Sequence, residues 1–562
     1  MNATTANLAR RLWHRFRTDL SGMIEIMRKR GPSQLQFWFI ALAIGICGGT
    51  AALFFRKGID TLQTALYGSD DLTMASVAGG LPWWWVLLIP ICGGLAVGLI
   101  LDRFTPDGRV RSVPDVIQGA AMHEGRVEGR AGLASALASL ITLGSGGSSG
   151  REGPVVHLAA VIASWVSIRI NANGITGRDL LGCAVAAAVS ASFNAPIAGA
   201  IFALEVVLRH FAIHAFAPIA IAAVAGTVIN RLEFGGVTEF NLPGAGGLAF
   251  YVELPAFLLL GLVSGVVAAI LMRTVILAEN LGDQIQRATS LPRYLRPAIA
   301  GAILGAVAIW FPHIIGVGYE TTSAALTGRI GLGTAVLFAT VKVFAVAVTI
   351  GGRMGGGMFS PALVVGSLTG LAFGLIATGF LPEVSGAETV YALAGMGAVA
   401  AAVLGAPIST TLIVFELTGD WQTGLAVMTA VSLSTALASR LVDRSFFLTQ
   451  LERRGVHLAA GPQAYLGETV RLAEIMRPMS HRRAAPEDRC REMIEEGIVL
   501  GEMQTLEAAL RLFEKTGADF IPITAQVAGA GRDTILQGAV FQTDALRAYA
   551  KALADTAAEE HR

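Results

Sequence analysis

Gly144-Ser-Gly-Gly-Ser-Ser-Gly-Arg-Glu-Gly-Pro154 breaks an apolar chain and then opens an apolar helix. Proline in a first helical turn is pre-organised, and its missing N–H costs nothing there. The glycines let backbone amides converge, so the helix start presents free N–H groups and the positive end of a dipole. Such an end binds an anion without a full positive charge. Glu152 lies inside this break, and a carboxylate at membrane depth is costly and a functional candidate by default. Its oxygens can occupy an anion site and compete with a passing ion until protonation releases them. A salt bridge to Arg151 is the other reading of that carboxylate.

A second break, Gly351-Gly-Arg-Met-Gly-Gly-Gly-Met-Phe-Ser-Pro361, has the same form. Each break is followed by an Ala-Pro-Ile turn, at Ala195-Pro196-Ile197 and at Ala406-Pro407-Ile408. Each turn is followed by a glutamate nine residues after its proline, Glu205 and Glu416. Break proline and turn proline are 42 residues apart in one half and 46 in the other. Two homologous halves, about 100–230 and 297–441, account for this. Paired interruptions in two halves point to a substrate site near the bilayer midplane. Glu416 reads as structural, and Asp420, after Thr418-Gly419, as a helix-end residue.

Composition sets the surroundings. Of 562 residues, 53% are apolar, 15% are charged and 66 are glycine. Mean hydropathy is +0.60. Soluble domains carry roughly 25% charged residues, so most of this chain is solvated by lipid. A net charge of +1 offers nothing to nucleic acid. A span needs about 20 apolar residues. Phe37–Phe55 and Trp83–Leu101 meet that simply. Later apolar runs are shorter and suit tilted, broken or re-entrant helices. The expected fold is an all-α polytopic membrane protein with a small cytoplasmic α/β domain.

Residues 1–36 carry a net charge of +5 and a rough apolar stripe, which predicts an amphipathic helix on the cytoplasmic leaflet. The positive-inside rule then starts the first span from the cytoplasm. Residues 37–455 form the transport domain. From 466 to 562 charge density rises, with predicted helices at Leu506–Phe513 and Thr543–Leu553 and strands at Phe520–Thr524 and Ile535–Phe541. Cys47, Cys92, Cys183 and Cys490 show no zinc spacing. His210 and His214 stand four apart but lack a third ligand nearby. Neither a metal nor a cofactor is expected, and no Ser-His-Asp or Walker-type arrangement indicates an enzyme.

Gly150-Arg-Glu-Gly-Pro154, Gly357-Met-Phe-Ser-Pro361 and Ser192-Phe-Asn-Ala-Pro-Ile-Ala-Gly-Ala-Ile-Phe-Ala-Leu-Glu205 closely resemble the CLC family of chloride channels and proton-coupled chloride exchangers. The resemblance runs from about Phe37 to Gly455. It implies an inverted-repeat helix bundle, a homodimer with one anion pathway per subunit, and a tail similar to CBS modules. In that tail one module at Leu506–Leu553 is complete, and the first, from near Val470, is abbreviated. By the resemblance Glu152 matches the gating glutamate. Amides of Met358 and Phe359, after Gly357, match the central anion site. Gly150, Arg151, Gly153 and Pro154 match an outer one.

Three departures stand out. Aligned on Pro114, Arg111 falls where the family's anion-binding serine lies, with Ser112 one place on. Phe447 replaces the central tyrosine and lacks its hydroxyl. Val206 replaces the inner proton glutamate of many exchangers. Arg111 has two open placements: in the pathway as an anion ligand, or towards cytoplasmic water and Asp115, the second being preferred. Chloride is the expected substrate. Val206 favours passive, channel-like conduction gated by Glu152, with proton-coupled chloride antiport as the alternative. A membrane-anchored sensor is the rival outside transport. The expected location is a bacterial inner membrane with both termini cytoplasmic.

Overall fold

A computed structural model describes residues 33–560 other than 173, 212, 236–249, 381, 383–384, 457, 459–466, 468–469, 503 and 527–533. The amphipathic segment expected within residues 1–36 lies almost wholly outside the described residues. The chain divides into two compact units. One comprises Met1–Leu208 and Ala215–Val456; the other comprises Arg209–His214 and His457–Arg562.

Among its described residues the first unit is built of helices. Its elements are α1 (Gln34–Tyr67), α2 (Trp83–Phe104), α3 (Val113–Met122), α4 (Gly129–Gly144), α5 (Glu152–Ile170), α6 (Gly174–Phe193) and α7 (Pro196–Phe202). A π-helical turn, Ala203–Leu208, continues α7. There follow α8 (Ile213–Phe234), α9 (Phe250–Thr289), α10 (Arg296–Ala308), α11 (Tyr319–Leu326), α12 (Leu332–Gly351), α13 (Phe359–Phe380), α14 (Glu388–Leu404), α15 (Pro407–Thr418), α16 (Trp421–Leu441) and α17 (Phe446–Arg453). Among the described residues, eight helices are long and apolar enough to cross a membrane. Pro196–Leu208, Glu388–Leu404 and Pro407–Thr418 are shorter apolar segments, as the interrupted pattern predicts. Side chains such as Phe39, Phe54 and Trp165 are largely exposed, which suits contact with lipid tails.

The two halves reuse the same devices. α6 is buried continuously from Asp179 to Phe193, and α14 from Val390 to Leu404. Helices apolar all round belong in a core. Each leads into an Ala-Pro-Ile turn. Glycines let α13 and α14 touch backbone to backbone: a Cβ on Gly370 would sit 2.1 Å from the Tyr391 carbonyl oxygen.

The glutamates after the two turns hold one another's helices. Glu205 accepts the amides of Ile408 at 2.9 Å and Ser409 at 2.8 Å, at the start of α15. Glu416, on α15, accepts the amides of Ile197 at 3.0 Å and Ala198 at 2.7 Å, at the start of α7. The first N–H groups of a helix have no intrahelical partner, and a carboxylate satisfies two of them at once. Asp420 caps α16 through the Thr423 amide at 2.8 Å.

Some helices run past their apolar patterns. The apolar run Pro255–Met272 is part of the 40-residue α9. The apolar pattern ends where Glu279 and Asp283 meet arginines, and the helix goes on.

The second unit holds a four-stranded sheet of order β1-β4-β3-β2. Its strands are β1 (Arg477–Pro478), β2 (Leu500–Gly501), β3 (Phe520–Gln526) and β4 (Thr534–Phe541). β3 and β4 pair antiparallel, while β2 runs parallel to β3. Leu506, Ala509, Phe513, Ile521, Ile523 and Val540 form its core.

Candidate functional site

The two glycine breaks meet. The Gly150 amide donates to the Gly357 carbonyl at 2.8 Å, and the Gly357 amide donates to the Gly150 carbonyl at 2.7 Å, a single antiparallel bridge between halves. The Ser148 amide also donates to the Thr349 hydroxyl at 3.1 Å. From this junction α5 starts at Glu152 and α13 at Phe359, each with proline as its third residue. Gly355 and Gly356 have φ of +114° and +105°, which side chains rarely adopt. At Gly356 a Cβ would also lie 2.0 Å from the Ser149 hydroxyl oxygen.

Glu152 is buried, and its Oε1 accepts the Ser360 hydroxyl at 2.5 Å. A Cβ on Gly150 would stand 2.6 Å from Glu152 Oε2 and 3.1 Å from the Ser360 nitrogen. The carboxylate of one break therefore rests against the helix start of the other. Oε2 has no hydrogen-bond partner among the described residues. Pro154, third in α5, is buried with it.

Below the bridge lies a cavity of about 190 Å³. Ser112, Gly357, Met358 and Phe447 line it. A Cβ on Gly153 would lie 2.5 Å from Ser112 Oγ and 3.3 Å from the Gly357 Cα, so these three residues converge. Ser112 precedes α3, and its amide donates to Asp115 at 2.8 Å. Phe447 is buried and presents only carbon. Phe359 faces aromatics instead, with its ring 4.6 Å from Phe193 and 5.8 Å from Phe202.

The rest of this cavity wall is charged. Arg109, Arg296, Arg353, Arg453 and Arg454 line it against two carboxylates, Glu279 and Asp283. Asp283 binds Arg296, Arg353 at 2.9 Å and Arg109 at 3.4 Å. Glu279 binds Arg453 at 2.8 Å. The net positive field concentrates anions at the cavity mouth. These arginines come from separate stretches, so the sequence carried no local signal for them beyond Arg353 inside the second break.

Arg111 is separated from the other candidates. It pairs with Asp107 at 3.0 Å and Glu128 at 3.2 Å and stands 3.8 Å from Asp115, outside the cavity lining. The structure thus sets Arg111 among Asp107, Asp115 and Glu128. Three carboxylates around one guanidinium leave no electrostatic reason for it to turn into the pathway. Although burial raises the Asp107 carboxyl, the hydrogen bond and charge of Arg111 hold it below the usual carboxylate range.

Arg151 points away from the Glu152–Ser360 contact. It donates to the Ser192 carbonyl at 3.3 Å, its guanidinium lies over the Tyr319 ring, and it lines a second, smaller cavity with Asp60, Asp70 and Asp71. Val206 is buried in the π-helical turn beside Glu205.

Residues 93–439 match the family described as voltage gated chloride channel. The chain belongs to this CLC family. It is 33% identical over 395 residues to a protein of Ralstonia nicotianae named putative chloride channel protein ClcB-like, covering 70% of this chain and 91% of that one. It is 27% identical to the Vibrio cholerae H(+)/Cl(-) exchange transporter ClcA, covering 74% and 89%. The fold matches a slow cyanobacterial Cl-/H+ antiporter with TM-score 0.64 at 21% identity, over 74% of this chain and 97% of that structure. It also matches a eukaryotic CLC transporter with TM-score 0.63 at 18% identity, over 93% and 98%. This CLC protein is a multi-pass membrane protein of anion transport, not an enzyme.

Proposed function

We propose that this CLC protein exchanges chloride for protons, with Glu152 as both gate and proton carrier. The contact of Glu152 with Ser360 carries the reading. The carboxylate sits at the start of α13, where the amides of Phe359 and Ser360 and the helix dipole favour a negative charge. An anion ascending from the arginine-lined cavity meets that carboxylate as a competitor for the same place. Protonation weakens its hold, chloride takes the position, and the proton leaves with the side chain. The protein of Vibrio cholerae named as an exchange transporter supports this reading.

Chloride would pass the arginines, enter beside Ser112, Met358 and Phe447, and be held mainly by the amides of Met358 and Phe359. Gly150, Gly153 and Gly357 serve by keeping side chains out of the junction. The positive-inside rule supports a cytoplasmic arginine-lined mouth, and the basic residues 1–36 support cytoplasmic termini by the same rule. Family membership supports a homodimer with one pathway in each subunit, and the bacterial relatives such as those of Ralstonia nicotianae and Vibrio cholerae support a seat in a bacterial inner membrane. The sheet of the second unit, with Leu506–Thr516 and Gln542–Glu560 among its helices, supports a CBS-like tail.

Val206 favours a second reading, passive conduction, because it cannot carry a proton. Reconstitution of the purified protein in liposomes separates the two. With chloride and proton movement recorded together, an outward chloride gradient should drive protons uphill. Chloride flux without uphill protons would establish conduction instead.

A further inference from the structure

A carrier at Glu152 needs protons from the arginine-lined side, and Val206 supplies no titratable group there. α5 does. His157 stands five residues after Glu152 on the same helix, a rise of roughly 7.5 Å. It is 1% exposed. Neither ring nitrogen has a hydrogen-bond partner among the described residues. Buried polar atoms are rarely left without a partner, so this ring asks for a role beyond packing.

α5 packs against α1, α3, α4 and α6. On α4 the His157 ring fills the space left by Gly132, where a Cβ would lie 2.6 Å from Cε1 and 2.8 Å from Nδ1. Among the described residues the charged groups acting on the ring are Asp115, in the first turn of α3, and Arg111. Asp115 binds Arg454 at 2.8 Å, and Arg454 lines the arginine-rich cavity. A titratable ring thus stands on the helix that begins at the gate, within electrostatic reach of a carboxylate that is one ion pair from the cavity lining.

We propose that His157 relays protons between the arginine-lined cavity and Glu152, an inference that rests on the exchange reading. A hydronium ion arriving past Asp115 gives its proton to the unprotonated ring nitrogen. The imidazolium releases the proton on its other nitrogen to water leading to Glu152, whose carboxylate accepts it. The ring is left neutral as the opposite tautomer, and a flip or a second exchange resets it.

The test measures chloride and proton flux together in liposomes containing the full-length protein, as parent, His157→Gln and His157→Glu. Parent protein should pump protons uphill. His157→Gln should lose about tenfold or more of the proton flux while keeping chloride flux near the parent's, so the chloride-to-proton ratio rises. His157→Glu restores a titratable group and should recover part of the proton flux. Proton flux in His157→Gln at the parent's ratio would overturn the relay and leave exchange standing. Parallel loss of both fluxes in both variants would make His157 a packing residue and also overturn it. A parent that moves chloride without uphill protons would overturn exchange itself, and the relay with it.

Discussion

The two glycine breaks share one backbone design and carry opposite chemistry. Both bend through glycine, both open a helix with proline in third place, and they hydrogen-bond to each other at Gly150 and Gly357. Break one ends in a carboxylate, Glu152; break two ends in a hydroxyl, Ser360, and the amides around Phe359. On the proposed function the difference assigns the parts: one break supplies a removable negative charge and the other the place it occupies. Two identical breaks would make either a permanently open anion site or two repelling carboxylates.

Abolishing the contrast should have the largest effect. Glu152→Gln removes the charge and keeps the shape, so chloride flux should become nearly independent of pH and proton coupling should vanish. Strongly pH-dependent chloride flux in that variant would remove Glu152 from the gate. Ser360→Ala weakens the other partner. A hydrogen bond to a charged group contributes about 1.5–3 kcal/mol, which corresponds to roughly tenfold or more in an equilibrium. The seated carboxylate should then yield to chloride more readily, lowering the chloride concentration for half-maximal flux. An unchanged half-saturation would separate Ser360 from the gate.

Phe447→Tyr sharpens the comparison from the cavity side by adding a donor near the amides of Met358 and Phe359. Calorimetric titration should show tighter chloride binding by up to about tenfold. Arg111→Ser should change binding less, because Arg111 is tied to Asp107 and Glu128 outside the cavity. Loss of binding in Arg111→Ser, with none gained in Phe447→Tyr, would reverse these two roles.

The smallest effect is expected far from both breaks. Asp420→Ala removes the cap of α16 and should cost about 1 kcal/mol of stability with transport intact. The Thr423 hydroxyl, with the amides of Thr423 and Gln422, holds the Asp420 carboxyl below the usual carboxylate range. The depressed value means the cap is fully in force above about pH 4 and is lost as pH falls through the lowered value. A melting difference between parent and variant that stayed constant down to pH 2 would contradict the cap's charge.

The breaks were legible in the sequence because glycine and proline act locally, and the spacing from each turn to Glu205 or Glu416 exposed the duplication. The reciprocal capping by those glutamates was not, since each carboxylate serves a helix some 200 residues away. Arg111 could not be placed from alignment on Pro114 alone, because its position depends on Asp107 and Glu128. The arginine cluster was hidden for the same reason: the loop before α3, α10, the second break and the end of α17 each bring one or two arginines, and α9 brings the carboxylates that hold them. His157 lay in plain view in α5, but only burial with two unpartnered nitrogens distinguishes it from an ordinary core histidine.

The claim that Glu152 and chloride compete for the start of α13 is tested most directly by crystallography in bromide, comparing the parent with Glu152→Gln. An anomalous bromide peak beside Ser360 and the Phe359 amide in the variant, absent there in the parent, is the predicted result. No peak at that position in Glu152→Gln, with bromide bound deeper in the cavity in both proteins, would contradict it.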